Sequence, residues 1–99
     1  MGNNNITNIN ILDKVNFKEL KELDLNHNKI EDINILEKVN FNELNKFDLS
    51  FNQISDINIL EKVDFKQLQT LDLRNNQIDE YKNDLIISRV KSKILNFYY

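Results

Sequence analysis

Three aspartates spaced 24 residues apart, Asp24, Asp48 and Asp72, and a single histidine, His27, are the side chains here whose type and spacing could do chemistry. A column of carboxylates can attract a cation or a basic peptide, and a histidine can act as a proton switch. Neither idea goes far towards catalysis. Hard cations want six or more oxygens in a compact cage, which a linear column does not supply. One histidine leaves no zinc cluster and no Ser-His-Asp set. The chain has no cysteine, so thiolate ligands, thiol nucleophiles and disulfides are excluded. Gly2 is its only glycine, and no glycine-rich phosphate loop can be built. Exposed acids also lack the burial that would drive their pKa values apart. The expectation is a protein with no catalytic residues, no metal and no cofactor.

What positions these residues is a repeat, visible when the chain is compared with itself. Ile9-Asn10-Ile11-Leu12 returns as Ile33-Asn34-Ile35-Leu36 and again as Ile57-Asn58-Ile59-Leu60. Each unit ends alike: Leu20, Leu23, Leu25, Asn28 and Ile30 recur as Leu44, Phe47, Leu49, Asn52 and Ile54, then as Leu68, Leu71, Leu73, Asn76 and Ile78. Leu23-Asp24-Leu25 and its copies alternate apolar and polar, which predicts a short strand with one buried face. Asn10, Asn34 and Asn58 are followed three residues later by Asp13, Glu37 and Glu61, the spacing of a capping box at a helix start. A strand, a turn and a short helical segment make one unit. Such a unit has too little apolar surface to fold alone, and must stack on its neighbours.

The pattern Leu-x-x-Leu-x-Leu-x-x-Asn-x-Ile, present three times, resembles the leucine-rich repeat. Its connecting segments look most like the short-repeat class of intracellular phosphatase regulators, dynein light chains and bacterial internalins. The resemblance implies an α/β solenoid, curved, with a parallel sheet on the concave face and short helical segments on the convex face. It also implies an asparagine ladder of Asn28, Asn52 and Asn76, and a partner that is a protein or peptide. On this reading residues 1–8 are a partial N-terminal repeat and 9–80 are three 24-residue repeats. Residues 81–99 form a C-terminal cap, a helix plus an edge strand. Asp84 is expected to cap that helix. Carrying the register forward puts Leu95 and Phe97 in the places of Leu71 and Leu73.

Strand alternation puts Glu22, Asp24 and Asn26 on the concave side, with Lys46, Asp48, Ser50 and then Thr70, Asp72, Arg74 in the same rows. His27, Phe51 and Asn75 follow. These rows vary from copy to copy while the apolar positions hardly change, as a diversified binding face would. Candidate partner-binding residues are Lys46, Asp48, Ser50, Phe51, Asp24, Asp72 and Arg74. Two readings of the aspartate column stand: a ligand-facing acidic stripe, or a Leu-Asp-Leu habit of the repeat family. Phe51 is an aromatic at an outward position, of a type enriched in binding hot spots, and packing onto neighbouring loops is its alternative role.

The remaining composition narrows the partner. A net charge of −3 argues against nucleic acid, which demands a basic surface. No run of 18 apolar residues is available to span a membrane. The polar start Met1-Gly2-Asn3-Asn4-Asn5 lacks the parts of a signal peptide, which points to the cytoplasm. The expected function is a non-enzymatic protein-protein interaction module, an adaptor or a regulatory subunit. The alternative is a self-associating structural solenoid or a truncated fragment of a longer one. No capping device precedes Ile9, so a homodimer through the N-terminal turn is the expectation on that reading.

Overall fold

A computed structural model of the chain describes residues 4–14 and 18–99. Phe17, the first of the three phenylalanines that precede a strand, lies outside the described residues. Four three-residue strands, β1 (Glu22–Asp24), β2 (Lys46–Asp48), β3 (Thr70–Asp72) and β4 (Asn96–Tyr98), form one parallel sheet in chain order. Across the first three strands the register is that of the repeat: Leu23 pairs with Phe47, and Phe47 with Leu71. Short 3-10 helices at Asn10–Lys14, Asn34–Lys38 and Asn58–Glu61 lie opposite the sheet, and one α-helix, α1 (Asp84–Lys93), follows the last of them. The result is the stacked-repeat solenoid that the resemblance implies, with its strands on the concave side. Its curvature has a steric origin, because the helical segments are bulkier than the roughly 4.8 Å that separates neighbouring strands.

The core fills the space between the two faces. Leu25, Ile30, Leu36, Leu44, Leu49, Ile54 and Ile57 are sealed from solvent. Phe41, Phe47 and Phe65 form an aromatic cluster, with centroids 5.8 Å apart for Phe41–Phe47 and 6.0 Å for Phe41–Phe65. Ile9, Leu12 and Leu23 are also buried, although they belong to the first turn.

The asparagines hold successive turns in register. Asn52 Nδ2 donates to the carbonyls of Leu25 (2.9 Å) and Leu49 (3.0 Å), while its Oδ1 accepts from Ile30 N–H (3.0 Å). Asn76 repeats this with Leu49, Leu73 and Ile54. Asn28 donates to Leu25 and accepts from Ile6 N–H at 3.2 Å. Main-chain rungs run alongside: Lys29, Gln53 and Gln77 donate to the carbonyls of Ile6, Ile30 and Ile54. Ile6 thus takes the same place ahead of the first turn that Ile30 and Ile54 take ahead of the next two.

Three local expectations are corrected. The capping box does not form: Ile33 and Ile57 occupy the cap positions and make no side-chain cap bond. The donors are met from two residues upstream instead, Asn34 N–H by Asp32 Oδ1 (2.8 Å) and Asn58 N–H by Asp56 Oδ1 (3.0 Å), in Asx turns. Asn34 and Asn58 lie one residue inside the segment, so the asparagine-to-acid spacing falls out of register with a capping box. Asp84 does not cap α1; the cap residue is Asn83, and Asp84 lies in the first turn, where a negative charge suits the helix dipole.

The third correction concerns register. Phe97, not Leu95, lies beside Leu71, and Leu95 is exposed. The step from β3 to β4 is 26 residues because the ten-residue α1 replaces a 3-10 segment. With that step Ile94 falls in the place of Leu68, buried as Leu68 is.

Asn52→Ala is expected to lower stability by about 3 kcal/mol, since it strands buried backbone groups at once. Asn76→Ala makes the same bonds vanish at a half-buried site that water can reach, and should cost about 1 kcal/mol less. Urea denaturation midpoints of the two variants check the order; equal losses would contradict it.

Candidate binding face

Each of β1, β2 and β3 ends in a stereotyped bend, and the bend explains the aspartate column. Asp24 Oδ1 accepts Asn26 N–H at 3.0 Å, Asp48 Oδ1 accepts Ser50 N–H at 2.9 Å, and Asp72 Oδ1 accepts Arg74 N–H at 3.0 Å. One carboxylate oxygen of every aspartate is thereby committed to its own backbone, in the manner of an Asx turn. Repulsion along the column is relieved by neighbours. Asn26 Nδ2 donates to Asp24 and, at 3.4 Å, to Asp48 Oδ2. Arg74 forks onto Asp72, Nε at 3.1 Å to Oδ1 and Nη2 at 2.8 Å to Oδ2.

The next residue in each turn adopts a left-handed backbone: His27, Phe51 and Asn75 have φ of 54°, 57° and 60°. Asparagine and histidine tolerate this region better than most residues; for a bulky side chain it is an outlier that costs on the order of 1 kcal/mol. Phe51 carries that cost while 47% exposed. Its ring stacks on His27, with centroids 4.2 Å apart and planes 10° from parallel. His27 Nδ1 is held 2.8 Å from Asn26 Oδ1. The pair forms a ridge along one rim of the sheet, with Asn75 beyond it.

The face carries most of the expected side chains. Lys46, Asp24 and Arg74 are exposed, and Asp48 and Asp72 are half-buried. Ser50 is the exception, at 6% exposure. Its hydroxyl donates to Asp48 Oδ1 at 2.6 Å, and its carbonyl accepts His27 N–H at 3.1 Å, so a residue expected to face a partner is turned into the bend. Tyr98 is the residue that sequence reasoning missed on this face. It is 43% exposed in β4, and its ring centroid lies 4.9 Å from the guanidinium carbon of Arg74. Recognising Ile94 as the counterpart of Leu68 would have placed it. Among the described residues no group of three or more His, Cys, Asp or Glu could hold a metal ion, and no helix is long and apolar enough to cross a membrane.

Desolvation pushes the Asp72 carboxyl up, but it is outweighed by hydrogen bonds from the Arg74 side chain and backbone and by the charges of Arg74 and Lys46, so its pKa falls below the ordinary 3.8. A lowered carboxylate pKa contributes stability above the unfolded value, and that contribution is lost as pH falls through the folded value. Asp72→Asn keeps an oxygen for Arg74 N–H without the charge. The stability advantage of the wild type over this variant should therefore be constant at neutral pH and vanish on acidification below the lowered pKa. Urea midpoints measured across that range test it.

Residues 42–85 match the family described as leucine-rich repeats in two copies, and residues 19–33 match the leucine-rich repeat as a single unit. No curated protein matches the chain. Domains of this kind generally mediate protein-protein interaction and are typically non-catalytic. The strand register, the ladder asparagines and these matches agree: the chain belongs to the leucine-rich repeat family.

Proposed function

We propose that this chain is a non-catalytic, cytoplasmic adaptor or regulatory subunit that binds a protein or peptide on its concave face. The three repeats of residues 9–80 supply the face, and residues 81–99 close the array behind it. Lys46, Asp48, Phe51, Asp24, Asp72 and Arg74 make the contacts, with Ser50 fixing the Asp48 carboxylate. The observation that carries this reading is Phe51: the turn requires a left-handed backbone there but not an aromatic, which carries the higher cost and stays nearly half exposed. Backbone strain retained beside an exposed surface is a recognised mark of a working site. Beside it the side chains alternate in charge, Lys46 against the aspartates, which favours partner choice over strength.

The face is small. Four strands at about 4.8 Å spacing span about 15 Å, so an interface of about 800 Å² needs the ridge and adjoining loops as well. A homodimer through the N-terminal turn lacks a driving force by comparison, because Ile9, Leu12 and Leu23 are already buried within one chain.

Phe51→Asn separates binding from folding, since asparagine is the residue the third repeat carries at this position and is at ease there. The variant should be as stable as the wild type or about 1 kcal/mol more so, yet lose tenfold or more in affinity for a captured partner, about the effect of deleting a hot-spot aromatic. Lys46→Glu should weaken the same complex. A partner that binds both variants as tightly as the wild type, by calorimetry, would rule out this face.

A further inference from the structure

The aromatic column behind the sheet stops one member short of the cap. Phe41 is covered by Phe65 at 6.0 Å and is sealed from solvent. Phe65 is only half-buried. The 26-residue step of the last turn puts Lys91 next in line, and Lys91 turns to the ring of Tyr99 at 5.0 Å, while Arg89 pairs with Glu61. A cleft of about 340 Å³ is left between the loop after the third 3-10 helix and α1. Its floor is Leu60, Val63, Phe65, Val90 and Ile94. Lys62, Lys66 and Lys93 stand at its walls, against Asp64 and a Glu61 already paired. In a chain of net charge −3 this corner is locally positive.

That volume lies at the lower end of small-molecule sites, and an apolar floor with a few convergent charges is their usual composition. We propose that the cleft binds a small anionic amphiphile: a carboxylate on a medium-length aliphatic or single-ring aromatic body. The apolar body takes the place of the missing column member against Phe65, Val90 and Ile94. The carboxylate sits among Lys62, Lys66 and Lys93. None of these residues belongs to the concave face, so the site stands or falls independently of the partner proposed above.

Decanoate is a suitable probe, followed through the amide resonances of the full chain, with decanol as the neutral counterpart of equal chain length. Saturable shifts are expected at Val63–Lys66 and Val90–Ile94, with none at Lys46 or Phe51. Lys66→Glu and Lys93→Glu, both at exposed positions, should each weaken decanoate binding about fivefold, the scale of one partly screened charge pair. Val63→Trp, which fills the cleft, should abolish it. Binding of decanol as tight as that of decanoate, or charge-reversed variants that bind decanoate unchanged, would overturn the proposal. So would the absence of saturation below micelle formation. Should Val63→Trp fail to fold, the two lysine variants decide alone.

Discussion

A carbonyl just past each of the first three strands must be satisfied at a point where the chain leaves the sheet, and the asparagine amide is what satisfies it. The Leu25 carbonyl receives Nδ2–H groups from Asn28 and Asn52, and that of Leu49 from Asn52 and Asn76. The amide is the right instrument because it donates on one side and accepts on the other, so each asparagine also takes the N–H of an isoleucine in the preceding turn. Aspartate could accept but not donate, and leucine could do neither. Buried backbone polar groups cost too much to leave unpaired, so the spacing of the whole array follows from this one side chain.

The surface inherits its form from that buried requirement. To bring the asparagine under its own strand, the chain bends through an Asx turn and then a left-handed residue. The aspartate column is thereby explained as backbone support, and the second oxygens of Asp48 and Asp72 are taken up by Asn26 and Arg74. The left-handed position, in contrast, is set by backbone geometry alone and leaves the side chain unspecified. His27, Phe51 and Asn75 differ there for that reason, and the most expensive of the three is the most informative.

Most of the fold was legible because the repeat is written three times. The strands, their parallel pairing and the buried leucines follow from a period of 24 with apolar residues at fixed places. What was not legible depended on geometry that a residue pattern does not encode. Asn34 with Glu37 has the spacing of a capping box, but a 3-10 segment draws its cap from Asp32. Ser50 occupies an outward row, but its short side chain folds back onto Asp48. The C-terminal register slipped because the last turn, built on a ten-residue helix, takes two more residues than the turns before it, and this hid Tyr98 from the list of surface residues. The cleft at α1 left no motif, since it arises from a column that is interrupted.

The 26-residue last step has a consequence for how such an array can change in length. Duplication of any 24-residue segment upstream of Asp79 adds a turn whose asparagine, aspartate and leucines all land in register, so growth or shrinkage there is nearly neutral for the fold. The final turn obeys a different count. A duplication that copies α1 would set a second helix where the next turn needs a slim segment. Lineages of such a chain should therefore vary in repeat number ahead of the α1 turn, which stays single.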